Sequence, residues 1–279
     1  MLIYAVKRLS VAILVALTVS LLTFSMIYLS GDPAMALAGE AATQADIENI
    51  RRVYGYDQPI YVQYFDWLGN ALKGNLGQSH YLNSPVSEVI FTRLPVTMIL
   101  GASALSFGLL LAIPLGVLAA MRPNTLIDRF ALGLAVIGQA LPSFWFALIM
   151  IFFFGVALRW LPITGSDSWL NFVMPSIALG YYITPAVMRL TRAGMIEVLS
   201  SDYIRTARAK GLRPSIVLFK HALRNAIIPV VSLAAVQFGF MLGGSIVIET
   251  IYAINGLGQL AWESILLADL PMKIGRAHV

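Results

Sequence analysis

The sequence predicts an all-α integral membrane protein. Of its 279 residues, 58% are hydrophobic and only 12% are charged, whereas a soluble domain carries about a quarter charged residues. The mean hydropathy is +0.79. Five long windows contain no charged side chain, and a helix needs about 20 mostly apolar residues to cross a bilayer.

The five windows are the predicted spans. The first follows a basic start, as in a signal peptide, but its apolar run of about 20 residues exceeds the about 7–15 residues of a signal-peptide core. We therefore interpret the first window as a retained anchor. The windows are Leu9–Leu29, Leu94–Met121, Phe130–Leu158, Ser168–Met188 and Asn225–Ile248.

The positions of lysine and arginine predict how the spans are oriented. Lys7 and Arg8 precede the first window, Arg122 and Arg129 lie between the second and third, and eight more basic residues lie between the fourth and fifth. Short segments rich in lysine and arginine stay on the cytoplasmic side. The amino terminus is therefore predicted to be cytoplasmic. Residues 30–93, with seven acidic and four basic residues, are predicted to be external.

The residue pattern of the segment 30–93 predicts two short helices separated by a Gly-Tyr-Asp-Gln-Pro turn. Its aromatic residues are expected to pack within the protein or to form a layer at the membrane surface. They are Tyr61, Tyr64, Phe65 and Trp67.

Glycines and prolines predict local features of the spans. Three glycines of the fifth window, Gly239, Gly243 and Gly244, indicate close packing against another helix. Proline within a membrane helix is expected to kink it, because neighbouring groups can satisfy the freed carbonyl oxygens. The prolines in or near the windows are Pro142, Pro175, Pro185 and Pro229.

Several functions are excluded by composition and pattern. The basic residues lie in short gaps between apolar runs and not over one surface, which argues against nucleic-acid binding. The chain has no cysteine, and His80, His221 and His278 lie far apart in the sequence, so we expect neither a disulfide nor a metal site. No G-x-x-x-x-G-K-[ST] phosphate loop and no catalytic constellation occur, so we expect no ATP hydrolysis by this chain itself.

The segment DYIRTARAKGLRPSIVLFKHALRNAIIP, residues 202–229, carries six of the nineteen lysine and arginine residues. Asp202 is predicted to be the N-cap of a helix over Tyr203 to Lys210, since its carboxylate can accept bonds from free N–H groups. Gly211 is predicted to take the left-handed position after the helix, and Pro214 to prevent its continuation. A helix of about eight residues is marginal alone in water, so we expect it to dock on another surface.

The small residues of this helix indicate where it would dock. Ala207 and Gly211 lie four residues apart on one face, with Tyr203 one turn earlier. Small side chains let the backbone of another protein approach closely, while the basic side chains point elsewhere. The alternative is an ordinary solvated basic loop, which the charge distribution alone also explains.

Several stretches resemble the permease subunits of ABC importers, specifically the dipeptide, oligopeptide and nickel group, which also includes glutathione permeases. The cytoplasmic loop of that group is similar to "YIRTARAKGL" followed by "HALRNAIIPV". Other parts of the group are similar to "LSGDPA", "YGYDQPIYVQYFDWLGNALKGNLGQS", "RLPVTMILGASALSFGLLLAIPLGVLAA" and "ETIYAINGLGQLAWESILLADLP". The resemblance covers nearly the whole chain and implies the type I ABC importer transmembrane fold.

The same resemblance implies that the 202–214 loop couples this chain to an ATPase. It also implies a second homologous permease subunit, two ATPase subunits that bind the ATP, an external solute-binding protein and a bacterial or archaeal cytoplasmic membrane. No cofactor is implied in this chain. The implied cargo is a peptide or a related small solute such as a nickel chelate or glutathione. The implied coupling residues are Tyr203, Arg205, Thr206, Ala207, Arg208, Ala209, Lys210 and Gly211.

Polar residues inside the windows are the candidates for lining a transport pathway, although such residues more often bond a neighbouring helix. An ion-driven carrier would require ionisable groups inside the spans, and the windows contain none. A non-transporting scaffold or signalling subunit that binds a cytosolic partner through the basic loop remains the alternative to a transport subunit. The pathway candidates are Gln139, Ser143, Tyr181 and Gln237.

The resemblance ends after Pro271. Since the family has six spans, we expect the sixth to be absent from this sequence, and we interpret residues 273–279, which include "IGRAHV", as a non-native tail. Residues 1–93 are predicted to form the first transmembrane helix and the external segment. Residues 94–272 are predicted to form an ABC importer transmembrane domain that is incomplete at its carboxyl end.

Overall fold

The computed structural model describes residues 2–29, 31–38, 42–79 and 81–266. It divides the chain into two compact units, one with the residues up to Leu94 and those from Leu260, the other with Pro95–Gln259. The described residues are helical apart from turns, loops and one isolated bridge. The predicted all-α class is therefore confirmed, whereas the predicted tail at 273–279 lies outside the described residues.

The amino-terminal part of the chain forms α1 (Leu2–Leu29), α2 (Pro33–Ala38), α3 (Gln44–Val53) and α4 (Ile60–Ala71). The turn between α3 and α4 contains Gly55 at φ +71, so the two predicted short helices and their turn are confirmed, while their external position stays a prediction. Tyr64 of α4 is buried against Phe24 of α1, and its hydroxyl lies 2.8 Å from that of Ser20. This aromatic contact attaches α4 to the carboxyl-terminal half of α1.

Most of the remaining helices belong to the second unit. Between them lie π-helical segments at Ile151–Ala157 and Val217–Leu223, and 3₁₀ turns at Trp169–Phe172 and Tyr181–Ile183. The helices are α5 (Val86–Met121), α6 (Leu126–Ala140), α7 (Ser143–Met150), α8 (Val173–Gly180), α9 (Thr184–Leu199), α10 (Asp202–Ala209), α11 (Pro214–Ile216), α12 (Arg224–Ala226), α13 (Ile228–Gly244), α14 (Ile246–Ile251) and α15 (Leu257–Leu266).

Three described helical stretches are long and apolar enough to cross a membrane: Leu2–Met26, Val86–Met121 and Trp169–Leu199. They coincide with the first, second and fourth predicted windows. A fourth crossing results if Pro214–Ala226 and Ile228–Gly244, which meet at a bend of 52°, act as one span. The prediction of five spans therefore stays a prediction.

The third window is interrupted in the middle. Leu141, between α6 and α7, has extended backbone angles (φ −84, ψ 126). Pro142 follows it, and proline disfavours the helical conformation of the residue before it. Beyond this break Ser143–Ala157 forms a shorter apolar helix, so the absence of charge alone did not predict a continuous helix here.

Close helix packing occurs at glycines other than those the sequence suggested. A Cβ atom added at Gly239, Gly243 or Gly244 of α13 would meet nothing within 4 Å, so the predicted contact is wrong within this chain. A Cβ at Gly116 of α5 would lie 2.7 Å from the carbonyl oxygen of Met188 in α9. The helices α5 and α9 therefore approach each other where α5 has no side chain.

Replacing Gly116 with alanine should lower the stability of the folded chain by about 1–3 kcal/mol, because the methyl group would overlap the backbone of α9. Thermal unfolding in detergent measures the change. Gly239→Ala is the matched control, since its methyl group meets open space and alanine favours helix more than glycine does. Equal stability of the two variants would contradict this account of the packing.

Candidate functional site: the basic loop and its surroundings

The short helix of the basic loop has almost the predicted bounds. It runs over Asp202–Ala209, and Gly211 follows in the left-handed conformation at φ +73. The N–H of Gly211 donates to the carbonyl oxygen of Arg208 at 3.0 Å and closes the helix end. The sequence therefore predicted this helix and its glycine termination correctly.

The predicted N-cap is wrong by one residue. Ser201, with extended backbone angles, precedes the helix, and Asp202 is the first helical residue. The hydroxyl of Ser201 donates back to the carbonyl oxygen of Val198 at 2.6 Å and makes no capping bond. Asp202 still stabilises the helix start, because a negative charge in the first turn interacts favourably with the helix dipole.

One face of α10 is buried in the chain's own core. Ile204 is fully buried and Ala207 is 7% exposed, and both pack in a cluster that includes Met195 of α9, Val217 and Ala222. Burying one isoleucine contributes about 1.5–3 kcal/mol, which a short helix needs to be stable. The expectation that Ala207 faces a partner protein is therefore wrong: its small size suits internal packing.

The opposite face of α10 is exposed and basic. Its one described ion pair joins Arg205 to Asp202 at 3.2 Å, and both side chains are largely exposed, so that pair adds little stability. Among the described residues no acidic group lies within ion-pair distance of Arg208 or Lys210. This face, defined here as the outer face of α10, consists of Tyr203, Arg205, Thr206, Arg208, Ala209 and Lys210.

An open cleft of about 630 Å³ adjoins the outer face. Its lining is mostly apolar and includes the basic residue Arg208. The residues that line it are Met121, Leu199, Arg208, Leu212, Pro214, Ser215, Val217, Leu218 and Phe219. The outer face and the cleft together offer positive charge beside an apolar depression, which suits a protein surface with acidic and apolar groups.

A buried ion pair, which sequence analysis did not identify, supports α9 ahead of the basic loop. Both oxygens of Asp128 accept hydrogen bonds from Arg192, at 2.6 and 2.7 Å, and the N–H of Asn124 donates to the same carboxylate at 2.8 Å. The bond from Arg192 keeps the pKa of Asp128 below its usual range, although burial acts in the opposite direction. This bidentate pair attaches α9 to the first turn of α6.

A cavity of about 390 Å³ brings two of the four pathway candidates together, Ser143 at the start of α7 and Gln237 in α13. Tyr182 lines the cavity, whereas Tyr181 does not. Tyr181 is buried, and its hydroxyl donates to the carbonyl oxygen of Leu141 at 2.5 Å, which stabilises the break between α6 and α7. The side chain of Gln139 lies outside the part of the chain that the structure describes.

A second polar cluster that the sequence analysis missed surrounds Glu249, the charged residue directly after the fifth window. Its side chain is fully buried and accepts bonds from Thr97, Ser245 and the N–H of Gln259. An available signal was the glutamate followed by Gly256 and Gly258 within "ETIYAINGLGQL".

Apolar helices long enough to cross a membrane, an exposed basic loop and an open cavity beside polar side chains are typical of the membrane component of a transport system. It belongs to the family of binding-protein-dependent transport system inner membrane components. The sequence profile of that family matches residues 112–277, and the profile of its amino-terminal part matches residues 1–101. The chain is therefore a permease subunit of an ABC importer, a multi-pass protein of the bacterial inner membrane.

Relatives support the same assignment. The glutathione transport system permease proteins GsiC of Escherichia coli strain CFT073 and of Pectobacterium atrosepticum are each 41% identical to this chain over 273 residues, which is 98% of this chain and 89% of each relative. A chain in each of two inward-facing crystal forms of the MetNI methionine ABC transporter gives TM-scores of 0.52 and 0.51, at 19% and 21% identity. These matches cover 68% of this chain and 96% and 93% of those chains. The predicted importer fold is confirmed.

Replacing Asp128 with alanine should destabilise the protein by about 3 kcal/mol, because Arg192 would lose its partner in a largely buried position. Chemical denaturation in detergent measures the loss. Asp202→Ala, which removes the exposed partner of Arg205 and an acidic residue of the first turn of α10, should cost only about 1 kcal/mol or less. The account of the buried pair is contradicted if the two variants lose similar stability.

Proposed function

We propose that this permease subunit moves a peptide or a related small solute, such as glutathione or a nickel chelate, across the cytoplasmic membrane at the expense of ATP. The ATP is bound and hydrolysed by partner subunits. The identity of 41% with permeases named for glutathione transport, over 98% of the chain, supports this class of cargo. The observation that supports coupling to an ATPase is that α10 exposes a basic face while its opposite face packs against the chain's own core.

The outer face of α10 docks on an ATPase subunit, and the inner face transmits the movement. Ile204 and Ala207 contact the cluster that also contains Met195 and, from α5, Val117 and Ala120. A displacement of α10 therefore pushes on α5 and α9 directly, since close-packed side chains have no room to absorb it. ATP binding and cargo movement are then coupled reciprocally, as linkage requires.

The remaining coupling residues have distinct roles in this proposal. Arg205, Arg208 and Lys210 attract acidic groups of the ATPase, while Tyr203, Thr206 and Ala209 form the surface between them. The hydroxyl of Tyr203 accepts a hydrogen bond from Asn225 at 2.8 Å, and this bond restricts the position of the ring on the outer face of α10. Gly211 ends the helix and lets the chain turn back toward the membrane.

The assembly consists of two permease subunits, two ATPase subunits and an external solute-binding protein. The excess of lysine and arginine in the 202–229 segment and around Lys7 and Arg8 supports a cytoplasmic position for the loop and for the amino terminus. The cavity beside Ser143 and Gln237 is part of the cargo pathway, since a hydroxyl and a carboxamide there can bond a polar solute.

Reconstitution of the full assembly in liposomes tests this function. The vesicles contain ATP, so their interior corresponds to the cytoplasm, and the binding protein and the cargo are added outside. Glutathione, a dipeptide or a nickel–histidine chelate should then accumulate inside the vesicles. A hydrolysis-deficient ATPase should abolish that movement. Cargo movement without ATP would contradict the proposal, and an assembled complex that moves none of the three probes would favour a scaffold.

Charge reversal on the outer face tests the docking surface. The double variant Arg208→Glu and Lys210→Glu should reduce ATPase association about tenfold or more, because rim charges of complementary sign guide and stabilise the encounter. Co-purification and surface binding of the ATPase measure the loss. Arg129→Glu is the control, an exposed cation on the same predicted side of the membrane but outside the basic loop. An undiminished affinity of the double variant would refute docking at this face.

A further inference from the structure

The carboxylate of Glu249, which lies in α14, accepts three hydrogen bonds. The hydroxyls of Thr97 and Ser245 donate to Oε1 at 2.8 and 2.7 Å, and the N–H of Gln259 donates to Oε2 at 2.9 Å. The side chain is 0% exposed. A carboxylate so placed is costly unless its oxygens are bonded, and here both oxygens are.

The directions of these bonds assign the proton positions. The hydroxyl of Thr97 accepts the N–H of Leu257 at 2.8 Å, so its own single proton is free to bond Glu249. Ser245 likewise gives its proton to Oε1. Glu249 is the acceptor in each of these three bonds. Its carboxyl group also faces the first turn of α15, where backbone N–H groups have no partner within the helix.

The turn between α14 and α15 is shaped around this carboxylate. A Cβ added at Gly256 would lie 2.5 Å from Oε2 of Glu249, and one at Gly258 would lie 2.7 Å from the same atom. Within the turn Ala253 has φ +47, a conformation that a residue other than glycine rarely adopts and that persists when the surroundings fix it. The surrounding contacts therefore determine this turn closely.

The same turn is attached to α7 and to the loop before α8. The hydroxyl of Tyr252 donates to the carbonyl oxygen of Ala147 at 3.1 Å, and the N–H of Gly165 donates to the carbonyl oxygen of Tyr252 at 3.0 Å. Tyr252 and Ile254 are themselves buried. One residue, Glu249, thus joins α5 through Thr97, and α15 through Gln259, to a turn that also contacts α7.

We propose that Glu249 is a positioning residue of the transport cycle, which fastens the turn at residues 252–256 and the first turn of α15 to α5. The α5 end near Thr97, α14 and this turn then move as one body when the pathway changes its access. A turn that required burial alone would be served by apolar side chains at lower cost. A carboxylate with three directed donors instead permits only one position of this turn and of α15 relative to α5. The inference rests on the proposed transport function.

Hydrogen exchange on the assembled transporter tests the fastening directly. In Glu249→Leu no side-chain oxygen remains to accept the N–H of Gln259, and in Thr97→Val the N–H of Leu257 loses its acceptor. In both variants the hydrogen-exchange rate of the backbone amides of residues 257–259 should rise about tenfold or more, as expected when a buried hydrogen bond is lost. Thr97→Ser retains the hydroxyl and should exchange like the unchanged protein. Unaltered exchange in Thr97→Val would overturn the proposal.

The transport readout separates a positioning role from simple stabilisation. In Thr97→Val and Glu249→Leu the cargo moved per ATP hydrolysed should fall about tenfold, an effect of about 1.4 kcal/mol on the coupled step, while the assembled ATPases co-purify at the usual ratio. Thr97→Ser should restore the normal value. A normal ratio in every variant that assembles overturns the proposal. If the unchanged transporter moves no cargo, the proposed function fails, while the exchange result still decides whether Glu249 fastens the turn.

Discussion

The burial of Ile204 and Ala207 against α5 and α9 is the contact on which the remaining account depends. A helix of eight residues does not persist alone in water, and this packing holds it in one place. Since the inner face is occupied by the chain itself, only the outer face is available to another protein. In the proposed function, the same packing that makes α10 stable would transmit its displacement to α5 and α9.

Two buried carboxylates also fix helices to one another in other parts of the second unit. Asp128 fixes α9 to α6 through Arg192, and Glu249 fixes α15 and its preceding turn to α5. In both cases a buried carboxyl group accepts several hydrogen bonds at the junction of several helices. Groups of this kind restrict the relative positions of helices more sharply than apolar packing, which tolerates sliding between similar side chains.

The sequence predicted features whose causes are local. Gly211 and Pro214 end a short helix because of their own backbone preferences, and charge-free length identified the helices at Leu2–Met26 and Val86–Met121. Features that depend on distant partners were missed or misread. Ala207 was assigned to an external contact because its small size is equally suited to internal packing. The neighbours of Glu249 lie as far away in sequence as Thr97, so no local pattern reveals their meeting.

The central claim, that α10 presents one face to its own core and the other to an ATPase, is tested most directly by cysteine labelling, since the chain contains no cysteine of its own. Single variants Thr206→Cys and Ala207→Cys should differ without ATPases: the first reacts with a polar maleimide and the second does not. Adding the ATPase subunits should then protect Thr206→Cys. Rapid labelling of Ala207→Cys, or labelling of Thr206→Cys that the ATPases leave unchanged, would contradict the account.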